Sequence, residues 1–380
     1  MMAAAGALLI FSLGILFPAA WLPAGVYHIR PYFSDLFAVL AANDAVAAGA
    51  DPFAVPNPFD VMNRPHVYGP AWLSLHYLGL TRAQVPLLGA LLLLGTVSVG
   101  AFWLAPRTLG DSLLAAAWLA APPFLLAYER GNNDLIILLL LALIGLGGKP
   151  ASWLGRTLTG VTLLAASLLK FYPLAGIGAL LVTGSRRACA FGLLLWTGTT
   201  ALLVGWQWPL FAAALEVTPK WSTVYGFGPP VVAHFFKLLP DSVPWFSAGA
   251  LLALAVLGLV WRKTPFREWM VVLRGDPIAA LWLSSAGGAW VGCFVALGNY
   301  PYRAVLLLPV MAALLRAGRA KEATGRSARH WAWLGAATAW LLCPYCNLLL
   351  SNDTELRQLG FVVAGLMHTL SIGLSRMALS

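Results

Sequence analysis

Long apolar runs, each closed by proline, glycine or charge, recur along this chain. They predict helices near 3–22, 84–105, 110–127, 134–148, 157–169, 171–184, 188–206, 245–261, 277–297, 301–317, 330–349 and 358–375. The pattern is that of an all-α polytopic membrane protein with about twelve transmembrane helices. Two stretches between the runs are more polar, 23–83 and 207–245. They are expected to be outer loops covering a site on a single integral membrane domain, 1–380. Within the long first loop, the residues around Asp44 suggest an amphipathic interfacial helix, and "ADPF" at 50–53 reads as a turn. The N-terminal run lacks a basic leader and is followed by many others, so it reads as a retained first helix rather than a cleaved signal.

The segment 157–184, "TLTGVTLLAASLLKFYPLAGIGALLVTG", is ambiguous in length. It is either one long helix, giving eleven in all, or two short ones meeting at Lys170–Pro173. Basic residues gather in cytoplasmic loops, and this separates the two models. With two helices, 15 of the 24 basic residues fall on inner segments, while ten of the 14 acids lie outside. With one helix, the Arg-rich stretches 262–274 and 316–329 would face out. The two-helix model is therefore preferred, with both termini cytoplasmic and Lys170 sunk near the outer surface.

Composition agrees with this picture. The chain is 60% hydrophobic and 10% charged, with a mean hydropathy of +0.79, whereas soluble domains are about 25% charged. Seventeen tryptophans and ten tyrosines suit a protein with two membrane–water interfaces to anchor. The net charge of +10 follows from the cytoplasmic basic loops and does not call for nucleic acid. Cys343 and Cys346 form "CPYC", but outside the βαβ setting that redox chemistry uses. No His or Cys set has metal-ligand spacing, so no metal is expected; a divalent ion on Asp35 and Asp134 is the alternative. "NDT" at Asn352 is a formal glycosylation sequon.

Where charge is scarce, its clustering carries information. "YERGNNDLII", residues 128–137, sets Glu129, Arg130, Asn132, Asn133 and Asp134 against an apolar run. Together with Asp35, Arg64, His66, Lys170, Tyr302 and Arg303, these residues fall at the outer ends of predicted helices or in outer loops. Ionisable groups at the edge of the hydrocarbon are costly and usually line a cavity or pathway. The chain has no GxGxxG after a strand, no P-loop and no GxSxG. A lipid-linked substrate, entering sideways from the outer leaflet, fits an outward site in such a protein.

Five stretches then carry a resemblance: "YFSDLFAVLAANDAVAAGADPFAV" in the first loop, "VYGPAWL", "ERGNNDLIILLLLALIGL", "LLKFYPLAG" and the late "NYPYRAVLLLPV". In that order and at those helix ends, the chain resembles the polytopic GT-C glycosyltransferases. The nearest likeness is to the mannosyltransferase-like proteins of glycosyltransferase family 87 and their bacterial relatives. The likeness spans nearly the whole chain through loose motifs. It implies an inverting, metal-independent hexosyltransferase that uses a polyprenyl-phosphate sugar, mannose first among the candidates. The acceptor would be a lipid or glycan at the outer face of the cytoplasmic membrane.

Carried over by position, the acid of the first outer loop is Asp35, the expected general base. Asp44, Asp51 and Asp60 share that loop and compete for the role. The donor phosphate calls for cations, and Lys170, Arg303 and Arg130 are the candidates. Asn132, Asn133, Asp134, Tyr68, His66 and Tyr302 are candidates for holding sugar or acceptor. Plainer roles stand beside these. Glu129 and Arg130 could pair to close a helix end, Asn133 or Asp134 could cap the next helix, and Lys170 could snorkel to the interface. "WSTVYGFGPP" at 221–230 reads as a mobile cover or a set of turns. A lipid-linked-sugar flippase is the rival function; it would show two similar halves and a midplane site, and no internal repeat is evident. A non-catalytic assembly protein for envelope glycan is the third reading.

Overall fold

The computed structural model describes residues 29–144, 152–181, 186–217, 275–296 and 301–319, with isolated positions beyond them. Among these the chain is helical, with no strand. The expected runs at 3–22, 245–261 and 358–375 lie outside the described residues, as do the CPYC pair, Asn352, the 221–230 loop and all but isolated positions of 330–349.

The first element, α1 (Ser34–Ala47), lies inside the long first loop. It is not the amphipathic surface helix that the sequence suggests. Ten of its residues are buried, among them Val39, Leu40, Ala41 and Ala42. Small alanines on several faces let it lie between neighbours. Its one mid-helix amide, Asn43, is fully used: it donates to the Val39 and Trp72 carbonyls at 2.8 and 2.9 Å and accepts from the His76 N–H at 2.8 Å. Those bonds tie α1 to a 3₁₀ segment, Pro70–Leu78. Arg82 adds a second tie, to Asp44 and to the Phe59 carbonyl, both at 2.5 Å. Asp51 makes the expected turn, accepting from the Phe53 N–H.

α2 (Val85–Leu104) comes next, entered through a capping box in which Thr81 and Gln84 bond reciprocally. The stretch Arg82–Leu104 is long and apolar enough to cross a membrane. At ~1.5 Å per residue it spans about 35 Å, against a hydrocarbon core of about 30 Å. α3 (Leu109–Leu119) and α4 (Pro122–Arg130) replace the single run expected at 110–127. They are bent by 50° and pass the same length-and-composition test only jointly. The break falls where Pro122 and Pro123 offer no N–H to continue the ladder. One consequence matters for the site: Glu129 and Arg130 belong to the last turn of α4, not to a loop after it.

α5 (Asn133–Leu143) and α6 (Trp153–Leu169) continue the chain. α6 ends at Lys170, and a 3₁₀ segment, Tyr172–Ile177, leads into the single turn α7 (Gly178–Leu181). The chain therefore breaks at Lys170 and continues as a 3₁₀ segment before α7. α8 (Arg186–Trp206) is succeeded by α9 (Trp208–Val217), so the segment expected as an outer loop from 207 begins as helix. α10 (Pro277–Ala296), a 3₁₀ segment Pro301–Leu306 and α11 (Leu307–Gly318) complete the described elements.

α10 packs closely on the segment 172–177, and glycine makes this possible. A Cβ on Gly292 would lie 2.6 Å from the Tyr172 carbonyl, and one on Gly176 would lie 2.7 Å from the Ser285 carbonyl. A core of Trp118, Phe124, Leu138, Trp290, Leu308 and their neighbours fills the space between α3, α5, α10 and α11. Buried indole N–H groups find backbone partners across it: Trp118 to Ala332 at 3.1 Å and Trp282 to Ile144 at 3.0 Å.

Candidate functional site

The site forms where the N-terminus of α1 meets the turn between α4 and α5. Gly131 makes that turn with φ +56°, and a Cβ there would come within 2.9 Å of the Phe33 Cβ, so only glycine suits it. Backbone and side chain of Glu129 then hold the chain entering α1: the Phe33 N–H donates to its carbonyl at 2.9 Å and the Ile29 N–H to its carboxylate at 2.8 Å. Glu129 thus closes the end of α4 on that incoming segment.

Two buried carboxylates result, each in the first turn of a helix, where the helix dipole favours negative charge. Asp35 opens α1 and is 6% exposed. Its Oδ2 accepts from the Asn132 amide at 2.6 Å, and its Oδ1 lies 3.4 Å from the Arg64 guanidinium. Asp134 opens α5 and is fully buried. Lys170 and Tyr172 both donate to its Oδ1, and Arg303 lies 3.7 Å from its Oδ2. Asn132 joins the two carboxylates. Its side-chain oxygen accepts from the Asp134 N–H at 2.9 Å while its amide donates to Asp35. The helix cap is thus Asn132, not Asn133 or Asp134, and its amide donates to the Asp35 carboxylate.

The other expected residues divide clearly. Lys170 is buried and paired with Asp134, so it does not snorkel. Its ammonium also sits 5.3 Å from the Tyr68 ring, and Arg303 sits 5.2 Å from the Tyr172 ring. Arg130 stands in the electrostatic field of Asp35, Glu129, Tyr68 and Tyr302. Its Nε is buried with no hydrogen-bond partner among the described residues. Asn133 is fully buried with both ends of its amide unpartnered among them. Buried polar groups are rarely left so. Tyr302 is 9% exposed, in the 3₁₀ segment between α10 and α11.

His66 is buried, edge-on to Phe53 and Tyr68 at 5.8 Å each, with its Nε2 3.4 Å from the Gly69 carbonyl. Burial pushes it down from 6.5 to about 4, so at neutral pH it carries no charge with which to grip an anion. Gly69 brings this stretch against the end of α6, its N–H donating to the Leu169 carbonyl at 3.2 Å. Tyr68 is thereby held beside Lys170.

The geometry adds one residue that sequence reasoning left out of the site, and gives a role to another, Arg64, that it had only placed on the same face. Tyr172 completes the Asp134 cluster; its place two residues after Lys170 in "KFYP" was the available signal. Arg64, partly buried, pairs with the buried Asp60 beside Asp35, its Nε 2.7 Å from Asp60 Oδ2. Asp60 therefore anchors Arg64. Asp44, paired with Arg82, and Asp51, in its turn, are likewise accounted for. Asp134 already has Lys170 and Arg303 as counter-charges, and among the described residues no three His, Cys, Asp or Glu side chains stand together. Compared with protein-family models, with curated proteins and with solved structures, the chain matches none, so its own residues are the ground for any functional reading.

Proposed function

We propose that this chain is a polytopic membrane glycosyltransferase of GT-C type. It would move a hexose, mannose first among the candidates, from a polyprenyl-phosphate donor to a lipid or glycan acceptor. The reading includes about twelve membrane-spanning helices, both termini in the cytoplasm, and a site at the outer face of the cytoplasmic membrane. One observation carries it. The buried carboxylate of Asp35 is oriented by Asn132 and Arg64, and three buried or partly buried cations, Arg130, Lys170 and Arg303, stand around the same junction.

The chemistry is set by those groups. The acceptor hydroxyl oxygen attacks the anomeric carbon, and its proton passes to the Asp35 carboxylate. The bond from that carbon to the phosphate oxygen breaks, and the electron pair leaves with the polyprenyl phosphate. Phosphate is a good leaving group, so one general base suffices, unlike the carboxylate pair of glycoside hydrolases. Arg130 has unspent hydrogen-bonding capacity for the phosphate. Lys170 and Arg303 both face the carboxylate of Asp134, and a phosphate placed beside them would be a further counter-charge. Asn133, Tyr68 and Tyr302 are suited to sugar or acceptor hydroxyls.

The test uses purified protein in nanodiscs with a panel of polyprenyl-phosphate sugars and membrane extract as acceptor. Release of polyprenyl phosphate is measured for wild type and Asp35→Asn. The expected result is turnover of one donor, lost in the variant. Binding without turnover of any donor would instead favour the flippase or assembly-protein reading.

A further inference from the structure

Arg64 contacts three groups unequally, and the inequality points to a role. Its Nε donates to Asp60 Oδ2 at 2.7 Å. Its Nη2 donates to the Ser34 carbonyl at 2.6 Å and also reaches Asp60 Oδ1 at 3.5 Å. Asp35, the third group, has only a long contact, Nη1 to Oδ1 at 3.4 Å. Asp60 is itself immobilised. It is 1% exposed, and its Oδ1 accepts from the Met62 N–H at 3.1 Å. Arg64 is therefore clamped at two points by groups outside the proposed chemistry and presented to Asp35 from a fixed position.

The two oxygens of Asp35 are left in different states. Oδ2 is tightly held by the Asn132 amide at 2.6 Å. Oδ1 faces a guanidinium at the outer limit of a hydrogen bond, which aims the carboxylate without occupying that oxygen strongly. We infer that Arg64, braced by Asp60, is a positioning residue for Asp35, and that Oδ1 is the oxygen that takes the proton from the acceptor. The inference rests on the transferase reading above and deepens it. A carboxylate held on one side only would rotate, and a base displaced by about 1 Å can lose roughly 100-fold in rate. Two-point clamping of Arg64 stops that rotation while keeping Oδ1 available. Lysine cannot reproduce the arrangement, because its point charge cannot bond Asp60, the Ser34 carbonyl and Asp35 in one fixed plane.

The test is a kinetic series on the full-length protein in nanodiscs, with the donor that wild type turns over and donor binding measured for each variant. Arg64→Gln is expected to lower kcat about 100-fold with donor KM within about threefold, since no phosphate contact is lost. Arg64→Lys should restore only a small part. Asp60→Asn, which touches neither Asp35 nor substrate, should also lower kcat and leave KM unchanged. Arg64→Gly should regain turnover when guanidinium ion is added. Should Arg64→Gln fold poorly, Asp60→Asn and the guanidinium rescue carry the same test. Wild-type kcat in Arg64→Gln, or a loss expressed only in KM, would overturn the positioning role while leaving the transferase reading intact. Absence of wild-type turnover with every donor, under conditions where donor binds, would overturn both.

Discussion

Asp35 and Asp134 are the same residue type, both buried, both in the first turn of a helix and both bonded around Asn132. Their partners separate them. Asp134 faces an ammonium, a phenol and a guanidinium, all from segments distant in sequence. Such a carboxylate holds α5, the end of α6 and the segment after α10 together, and its charge is committed to that task. Asp35 has one firm amide bond and one long guanidinium contact, so its Oδ1 is held less tightly than its Oδ2. Burial alone therefore does not separate the two carboxylates; the completeness of their bonding does.

The contrast can be broken most forcefully at Asp134. Asp134→Leu leaves Lys170 and Arg303 buried without their counter-charge, and breaking a buried pair in this way costs about 3–5 kcal/mol. The expected outcome is a large drop in unfolding midpoint and in the yield of monodisperse protein. A folded, stable Asp134→Leu would show that the cluster is not structural. Asp35→Asn should do the reverse. Turnover is expected to fall by about 10²–10⁴-fold, with the unfolding midpoint near wild type. Collapse of stability in that variant would make the two carboxylates alike after all.

Asn132 sharpens the comparison because it serves both. Asn132→Ser keeps a side-chain cap for α5 but removes the amide from Asp35. Stability should stay close to wild type while turnover falls. Asn132→Ala should lose turnover and, with the cap gone, about 1 kcal/mol of stability as well. Circular dichroism melts beside kinetics would separate these.

The smallest effect at neutral pH belongs to His66. Its folded-state value of about 4 lies below its ordinary 6.5, so the unfolded chain binds the proton more readily. Its contribution to stability is complete above pH 6.5, shrinks as pH falls toward 4, and does not change further below that. Unfolding midpoints measured across this window should fall less steeply for His66→Phe than for wild type. Equal slopes would mean that the imidazole is hydrated in the folded protein.

Several of these features were legible without coordinates. The cluster at 128–137, the break at Lys170 and the acid opening the first loop stand out because charge and proline interrupt apolar runs, and such interruptions are costly unless used. The burial of α1 was not legible. Its apolar content invites a surface-facing reading, and only contact with the 70–78 segment and α4 shows which faces are covered. The kink at Pro122 was written in two adjacent prolines, yet a run of apolar residues through them masked it.

The sequence by itself determined the helical class, the scarcity of charge, and which few ionisable residues must meet in an apolar protein. Those are properties of composition and of spacing along the chain. Only the tertiary structure decided the pairing: Asp134 with Lys170, Tyr172 and Arg303, Asp60 with Arg64, and Asp35 with Asn132. The partners come from segments far apart in the chain, and hydrogen-bond direction and distance depend on how helices pack. No local pattern encodes which of two equivalent carboxylates is saturated and which is left with an oxygen to spare.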